Sequence, residues 1–458
     1  MSIPDAADTI AAISTPPGEA GIGIVRLSGP EAQAIARRLF RPRRGRGAWR
    51  SRYLYLGHIV DPEGTAVDEV LLTLMRAPHT YTREDVVEIN CHSGPGVLRR
   101  ILELALDQGA RLARPGEFTL RAFLSGRLDL TQAEAVLEVI QARTREALQV
   151  AADHLEGGLG RDLRQVREAL LDLLARVEAA LDFPEEAEEV PLPVLQEGLE
   201  SQAAALTRLQ DTYREGRLLR DGLLAVLAGR PNVGKSSLLN RLLNQDRAIV
   251  TEIPGTTRDL VEETMTLGGV MVRLSDTAGL GPAQDRLEAL GIARARQRVA
   301  QADVVLYLVD GSEPLPAADR EALANLRGRR GLAVVNKIDL PPALNQEELQ
   351  AATAFPVVRV SALTGQGLED LKTALTDLAL GGGLKLEGQV LTQARHHQHL
   401  GQCLNCLGQA QALLDSAPLW ELVALELKEA IRELGEITGE EVGDAVLDRV
   451  FEHFCLGK

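Results

Sequence analysis

Residues 223–237 read LLAVLAGRPNVGKSS, an apolar run that leads through a glycine-bounded loop into the start of a helix. Gly229 to Ser237 fits the phosphate-loop pattern, in the strand-before, helix-after setting that the pattern needs. Its glycines allow a backbone path whose N–H groups turn toward phosphate oxygens, Lys235 adds a positive charge, and Ser236 offers a hydroxyl to magnesium. The runs VMVRLSD, DVVLYLVDG, GLAVVNKID and PVVRVSA follow, alternating with helical segments. Such alternation indicates a mostly parallel sheet covered by helices.

The strand ends of this α/β part carry further motifs. Asp276, in DTAG, is placed to act on magnesium through water, and the Gly279 amide to meet a γ-phosphate. NKID supplies Asn336, Lys337 and Asp339; a carboxylate in a base pocket accepts two hydrogen bonds from guanine that adenine cannot donate, which selects GTP over ATP. Ser361, Ala362 and Leu363 form the next loop, a second guanine contact. VTEIPGTTRD, Val250 to Asp259, stands where a first switch belongs, with Thr257 able to ligate magnesium. One position departs from the common pattern. Leu280 follows the Asp-x-x-Gly, where a glutamine often orients the attacking water, and leucine can do neither that nor spread charge.

At 458 residues the chain is too long for one core. Up to about residue 120, GIGIVRLSG, VDEVLLTLM and VVEINCHSG read as strands and PGVLRRILELALDQG as a helix. From 121 to 218 the pattern is amphipathic helix, interrupted by the acidic loop PEEAEEVPLP; 219–382 is the α/β part, and 383–458 is helical again. Helical segments on both sides of an α/β unit indicate an insertion, since a domain's ends often lie close together. Acidic residues outnumber basic ones, 65 to 50, and the net charge of −15 argues against a surface that grips nucleic acid all over. The loop RPRRGRGAWRSR holds six arginines and reads as a solvated loop rather than an RNA-facing patch. RHHQHLGQCLNC offers three histidines and a Cys-x-x-Cys, but on a helix such spacing arises by chance, so zinc is not expected. Four scattered cysteines, no leader pattern and no apolar run of roughly 20 residues point to a cytoplasmic protein without a membrane anchor. FCLGK at the end fits prenylation poorly because of its final lysine.

The motif order, the insertion and the FCLGK tail together resemble the MnmE (TrmE) family of tRNA-modification GTPases over nearly the whole length. The resemblance implies a multidomain α/β plus all-α fold: a P-loop GTPase domain inserted into a discontinuous helical domain, with an N-terminal α+β folate-binding domain. It places the nucleotide on Asn232, Val233, Gly234, Lys235, Ser236 and Ser237, on Thr251, Glu252, Ile253, Pro254, Gly255, Thr256 and Thr257, on Asp276, Thr277, Ala278 and Gly279, and on the two guanine loops. Magnesium falls to Ser236 and Thr257. Potassium falls to Asn232, Thr251, Ile253 and Thr256, where a monovalent cation can neutralise developing charge as an arginine finger does. Glu288 matches the family's water-directing glutamate and so answers the leucine. Arg26, Glu88, Arg127 and Lys458 match ligand positions for a 5-formyl- or methylene-tetrahydrofolate, with Cys455 serving the modification chemistry; Arg127 stands where a related sequence has lysine, which keeps charge but not geometry. A homodimer, a tRNA substrate and an MnmG-like partner carrying FAD complete the expectation: modification of C5 of the wobble uridine by an aminomethyl or carboxymethylaminomethyl group. Two rivals are a GTPase switch in ribosome assembly, which leaves the tail without purpose, and a folate-dependent methyltransferase acting alone.

Overall fold

The structure is a computed structural model that describes residues 8–43, 48–182, 192–246, 263–276, 297–381, 384, 388–416 and 419–458. Its N-terminal part comprises β1 (Ile10–Ile13), β2 (Ala20–Ser28), α1 (Ala32–Leu39), β3 (Phe40–Pro42), β4 (Leu54–Val60), β5 (Ala66–Met75), β6 (Val86–Ser93), α2 (Pro95–Asp107) and β7 (Arg111–Leu112). The strands form one sheet in the order β3-β4-β5-β6-β2-β1-β7, antiparallel except for β1 beside β7. Alternate residues of β2 and β6 (Val25, Leu27, Val87, Ile89) point into a core closed by Ile35 of α1 and Ile101 of α2. Each such fully buried side chain contributes about 1.5–3 kcal/mol.

Helices α3 (Glu117–Leu124), α4 (Leu130–Gln141), α5 (Arg145–Leu155), α6 (Gly158–Asp182), α7 (Leu192–Asp211) and α8 (Tyr213–Asp221) follow. The run LTQAEAVLEVIQARTREALQVAADHL is broken into α4 and α5, because the Thr144 side chain accepts the Ala147 N–H and so caps a new helix. Of the acidic loop PEEAEEVPLP, Leu192 and Pro193 open α7, where a proline's missing N–H costs nothing; the rest lies outside the described residues.

The α/β part holds β8 (Leu223–Ala228), α9 (Lys235–Asp246), β9 (Glu263–Leu267), β10 (Val270–Asp276), β11 (Val304–Asp310), α10 (Ala317–Asn325), β12 (Gly331–Asn336), α11 (Gln346–Ala352), β13 (Val357–Arg359) and α12 (Leu368–Leu380). Strand order is β13-β12-β11-β8-β10-β9, parallel but for the edge strand β9. The winding reverses at β8, the strand that feeds the phosphate loop, which is where open α/β sheets bind ligands.

The chain ends in α13 (Ala394–Ser416), α14 (Trp420–Thr438) and α15 (Asp444–Glu452). Leu163, Leu170 and Leu199, which precede the α/β part, share one core with Leu400, Leu407, Leu427 and Leu434, which follow it. The helical layer is therefore built from two distant stretches of sequence, one on each side of the α/β part.

Candidate functional site

Three clusters of side chains stand out. In the first, the loop between β8 and α9 wraps closely enough that a Cβ at Gly234 would lie 2.2 Å from Asn336 Nδ2. Lys235 is buried, and its ammonium donates to the Gly229 and Arg230 carbonyls at 2.9 and 2.8 Å. Both ends of the buried Asn336 amide are committed as well: Nδ2 donates to the Val233 carbonyl at 2.8 Å, and Oδ1 accepts the Ala362 N–H at 3.0 Å. One side chain thus ties the phosphate loop to the Ser361–Leu363 loop. Ser361 donates to Asp339 Oδ1 at 2.5 Å, fixing that exposed carboxylate, while Lys337 pairs with Asp310 at 2.5 Å. Leu363 stays 78% exposed at the rim.

The structure therefore brings Asn232 to Ser237, Asn336, Lys337, Asp339 and Ser361 to Leu363 together at the carboxyl ends of β8, β12 and β13. The backbone of Asp276 ends β10 beside Leu227 of β8. Thr251, Glu252, Ile253, Pro254, Gly255, Thr256, Thr257, Thr277, Ala278, Gly279 and Glu288 lie outside the described residues.

The second cluster joins the two ends of the chain. Arg26 and Glu88 face each other across β2 and β6, and Arg26 Nε and Nη2 reach Glu88 Oε1 at 2.8 and 2.7 Å. Arg26 Nη1 and the Ser14 hydroxyl donate to the Gly457 carbonyl at 3.0 and 3.2 Å. The Phe118 N–H donates to the Lys458 carbonyl at 3.1 Å, so the tail lies against the N-terminal sheet. Burial holds the Lys458 ammonium below the ordinary lysine range, Arg26 adds to the depression, and Glu88 opposes it. Cys455 is exposed at this junction. Arg127 arrives from the other side, 4.8 Å over the ring of Tyr81, which Arg26 approaches at 6.0 Å. Tyr81 and Phe118, the aromatic walls here, went unnoticed in the sequence; Tyr81 sits in a polar run whose only signal is the aromatic itself.

Two family models match the chain: "MnmE helical domain" over residues 130–455 and "GTP-binding protein TrmE N-terminus" over residues 9–127. The chain belongs to the MnmE family. Relatives named tRNA modification GTPase MnmE include those of Symbiobacterium thermophilum (49% identical), Moorella thermoacetica (48%) and Geobacillus kaustophilus (45%); each alignment spans 98% of this chain and 99% of the relative. Among solved structures, the G domain of the T. maritima FeoB iron transporter aligns with 34% of this chain and 98% of that one at 30% identity, with a TM-score of 0.27, too low to bear on function. Membership in the MnmE family makes the chain a GTP hydrolase that acts in tRNA modification.

A third cluster of this MnmE-family chain lies where the α/β part rejoins the helices. Glu138 Oε1 accepts the Thr392 hydroxyl at 2.7 Å and the Gln393 amide at 2.6 Å, and His154 Nε2 donates to the Val390 carbonyl at 2.8 Å. Burial would lower the His154 pKa, but Glu138 and the Val390 carbonyl outweigh it and raise it. Beside them Arg395 and His396 share Glu134. Burial would push that carboxyl up, but His396 and Arg395 hold it at about 2; burial drives His396 itself down, so the lasting counter-charge is Arg395. The histidines of RHHQHLGQCLNC thus face separate partners: His396 meets Glu134, His397 stacks on Tyr213, and His399 meets Glu433 at 2.7 Å. Burial raises Cys403 to about 12 and Cys406 to about 11, which keeps both as thiols. Among the described residues no group of three His, Cys, Asp or Glu could hold a metal ion.

Proposed function

We propose that this GTPase modifies C5 of the wobble uridine of certain tRNAs, attaching an aminomethyl or carboxymethylaminomethyl group. It acts as a homodimer with an MnmG-like partner that carries FAD, in the cytoplasm, using a one-carbon unit from tetrahydrofolate. The observation that carries the reading is the docking of the Cys455–Lys458 tail beside Arg26 and Glu88. A GTPase switch alone has no use for that arrangement.

The residues suit the groups they are assigned. Both Arg26 contacts fall on Glu88 Oε1, so Oε2 has no partner among the described residues and can accept from a pterin amine and ring N–H, while Arg127 and Lys458 suit folate carboxylates. A one-carbon folate would supply the carbon. Arg26, Glu88 and Lys458 hold and orient it, and Cys455 stands exposed beside them. Among the described residues no helix is long and apolar enough to cross a membrane. Leu54, Leu56 and Leu71 lie exposed on β4 and β5, an apolar face that supports dimerisation through the N-terminal sheet.

At the nucleotide site the phosphate loop and Lys235 hold the β- and γ-phosphates, Ser236 and Thr257 would hold magnesium, and Asp339 recognises guanine. Asn232, exposed with φ of 64°, heads the loop where, with Thr251, Ile253 and Thr256, it would hold potassium. A potassium ion held there would supply charge neutralisation. Glu288 orients the attacking water. Hydrolysis drives movement of the GTPase domains and supplies no bond to the product. The test is reconstitution with the partner, tRNA, folate and GTP, followed by nucleoside mass spectrometry. A modified wobble uridine that vanishes when folate, GTP or Cys455–Lys458 is removed is expected; modification that survives loss of the tail would overturn the reading. Turnover with sodium as the only alkali cation should fall well below turnover with potassium, and equal rates would remove potassium from the scheme.

A further inference from the structure

The N-terminal sheet ends, on its β3–β4 side, in a cluster of arginines and aromatic rings that neither site uses. Trp49 is buried at its centre, with ring centroids 5.8 Å from Phe40 and 6.0 Å from Tyr55. Tyr53 lies 5.5 Å from Tyr55 and is 58% exposed. Four arginines stand at this edge. Arg37, in the last turn of α1, places its guanidinium 5.2 Å over Trp49. Arg76, just past β5, donates to the Trp49 carbonyl at 3.4 Å. Arg50 gives its backbone N–H to the Tyr55 hydroxyl at 2.6 Å, and Arg52 donates to the His79 carbonyl at 2.6 Å.

All four arginines are exposed, and among the described residues none is paired with a carboxylate. The carboxylates close by are engaged elsewhere: Glu69 meets Arg43 at 3.4 Å, and Asp85 Oδ1 accepts the Ala77 N–H. On a chain of net charge −15, most of the surface repels a polyanion. Here exposed arginines without a carboxylate partner among the described residues offer a polyanion local attraction instead. Arginine's planar fork matches phosphate oxygens with two parallel hydrogen bonds, and an exposed tyrosine offers a face to an unstacked base. A purely acidic protein surface would answer the arginines and leave the ring unused.

We infer that this edge grips the phosphate backbone of the tRNA substrate, with Tyr53 stacking on an unpaired base. The inference rests on the reading of tRNA as the substrate and says which surface meets it. It departs from the expectation that the arginine-rich loop is only solvated, because Arg37, from outside that loop, lies over the Trp49 ring and Arg76 donates to the Trp49 carbonyl.

The experiment titrates an unmodified tRNA transcript against the full-length protein at several salt concentrations. R37Q/R50Q and R37E/R50E are compared with the unaltered chain, and Y53A is run alongside; none of these residues belongs to the nucleotide or tail cluster. R37Q/R50Q is expected to bind roughly tenfold more weakly, with the log–log salt slope smaller by about one per arginine removed. R37E/R50E should bind more weakly still, and Y53A should lose affinity with the slope unchanged. GTP turnover without tRNA should stay the same throughout. If both arginine pairs keep the affinity and slope of the unaltered chain, the edge is not the tRNA surface, although tRNA remains the substrate. Loss of complex formation with the flavoprotein partner while tRNA affinity stays intact would assign the arginines to a protein interface and overturn the inference. Absence of tRNA binding by the unaltered chain, with no modified nucleoside in the reconstitution, would remove the substrate reading and this inference with it.

Discussion

Asn336 shows how one side chain can serve stability and chemistry together. Its amide satisfies the Val233 carbonyl and the Ala362 N–H, one on the phosphate loop and the other on the Ser361–Leu363 loop. Asn336→Ala leaves both unpaired at a buried position, which costs about 1–3 kcal/mol. The expected result is a lower melting temperature and weaker GTP binding together, measured by calorimetry of the same preparation. Unchanged GTP affinity would show that the loops hold their places without it. Arg26 is the corresponding residue at the tail. Arg26→Gln removes the Gly457 and Glu88 contacts, so the last residues should become accessible to carboxypeptidase while GTP turnover stays unchanged. A tail that remains protected would mean that the Phe118 and Ser14 contacts suffice to hold it.

Among the elements, α4 carries two carboxylates that face the returning chain, Glu134 and Glu138, and their pH behaviour differs in sign from that of His154, the partner of Glu138. Glu134 is held near 2 against an ordinary value of 4.5, so its contribution to stability is complete above about pH 4.5 and lost as pH falls toward 2. His154 is raised, so its contribution is complete below about 6.5 and fades as pH climbs through its folded pKa. Glu134→Gln should flatten the acid limb of a stability-against-pH curve measured by denaturant unfolding. It should also lower stability at pH 7, because Arg395 is left without its carboxylate. An acid limb as steep as before would assign the limb to other groups.

How far these elements could be seen in advance depends on the reach of the interactions that make them. The strands around the phosphate loop announce themselves as apolar runs because they are buried on both faces, as β11 is along its whole length. β9, the edge strand ETMTL, is only half-buried and polar at alternate positions, so it reads like connecting loop. The phosphate loop, Asp339 and the tail residues were legible because each is a short motif. The Asn336 tie, the Tyr81 and Phe118 walls and the Glu138–Thr392 contact were not, since their partners lie far away in sequence and only the fold brings them together.

For the molecule as a whole, the decisive geometry is the place where the GTPase part is inserted. The lead-in helix α8 and the outgoing strap Val390–Gln393 run against each other: the Leu391 N–H donates to the Thr212 hydroxyl at 2.9 Å, and Arg220 donates to Gln393 Oε1 at 2.6 Å. A Cβ at Gly216 would lie 2.2 Å from the Leu391 carbonyl oxygen, so only glycine permits this approach. The strap is held in turn by Glu138 and His154 of the helical layer, whose core is shared by both halves of the chain. Any rotation of the GTPase part must pass through these paired connections, since no other chain joins it to the helices. Gly216→Ala should force α8 and the strap apart, at a cost of about 1–3 kcal/mol. The sheet and phosphate loop are untouched, so GTP binding and basal turnover should be kept. What should fall is tRNA modification per GTP hydrolysed, read by nucleoside mass spectrometry against phosphate release in the same reaction. An unchanged ratio, with the loss of stability confirmed by melting, would mean that modification does not depend on this crossing.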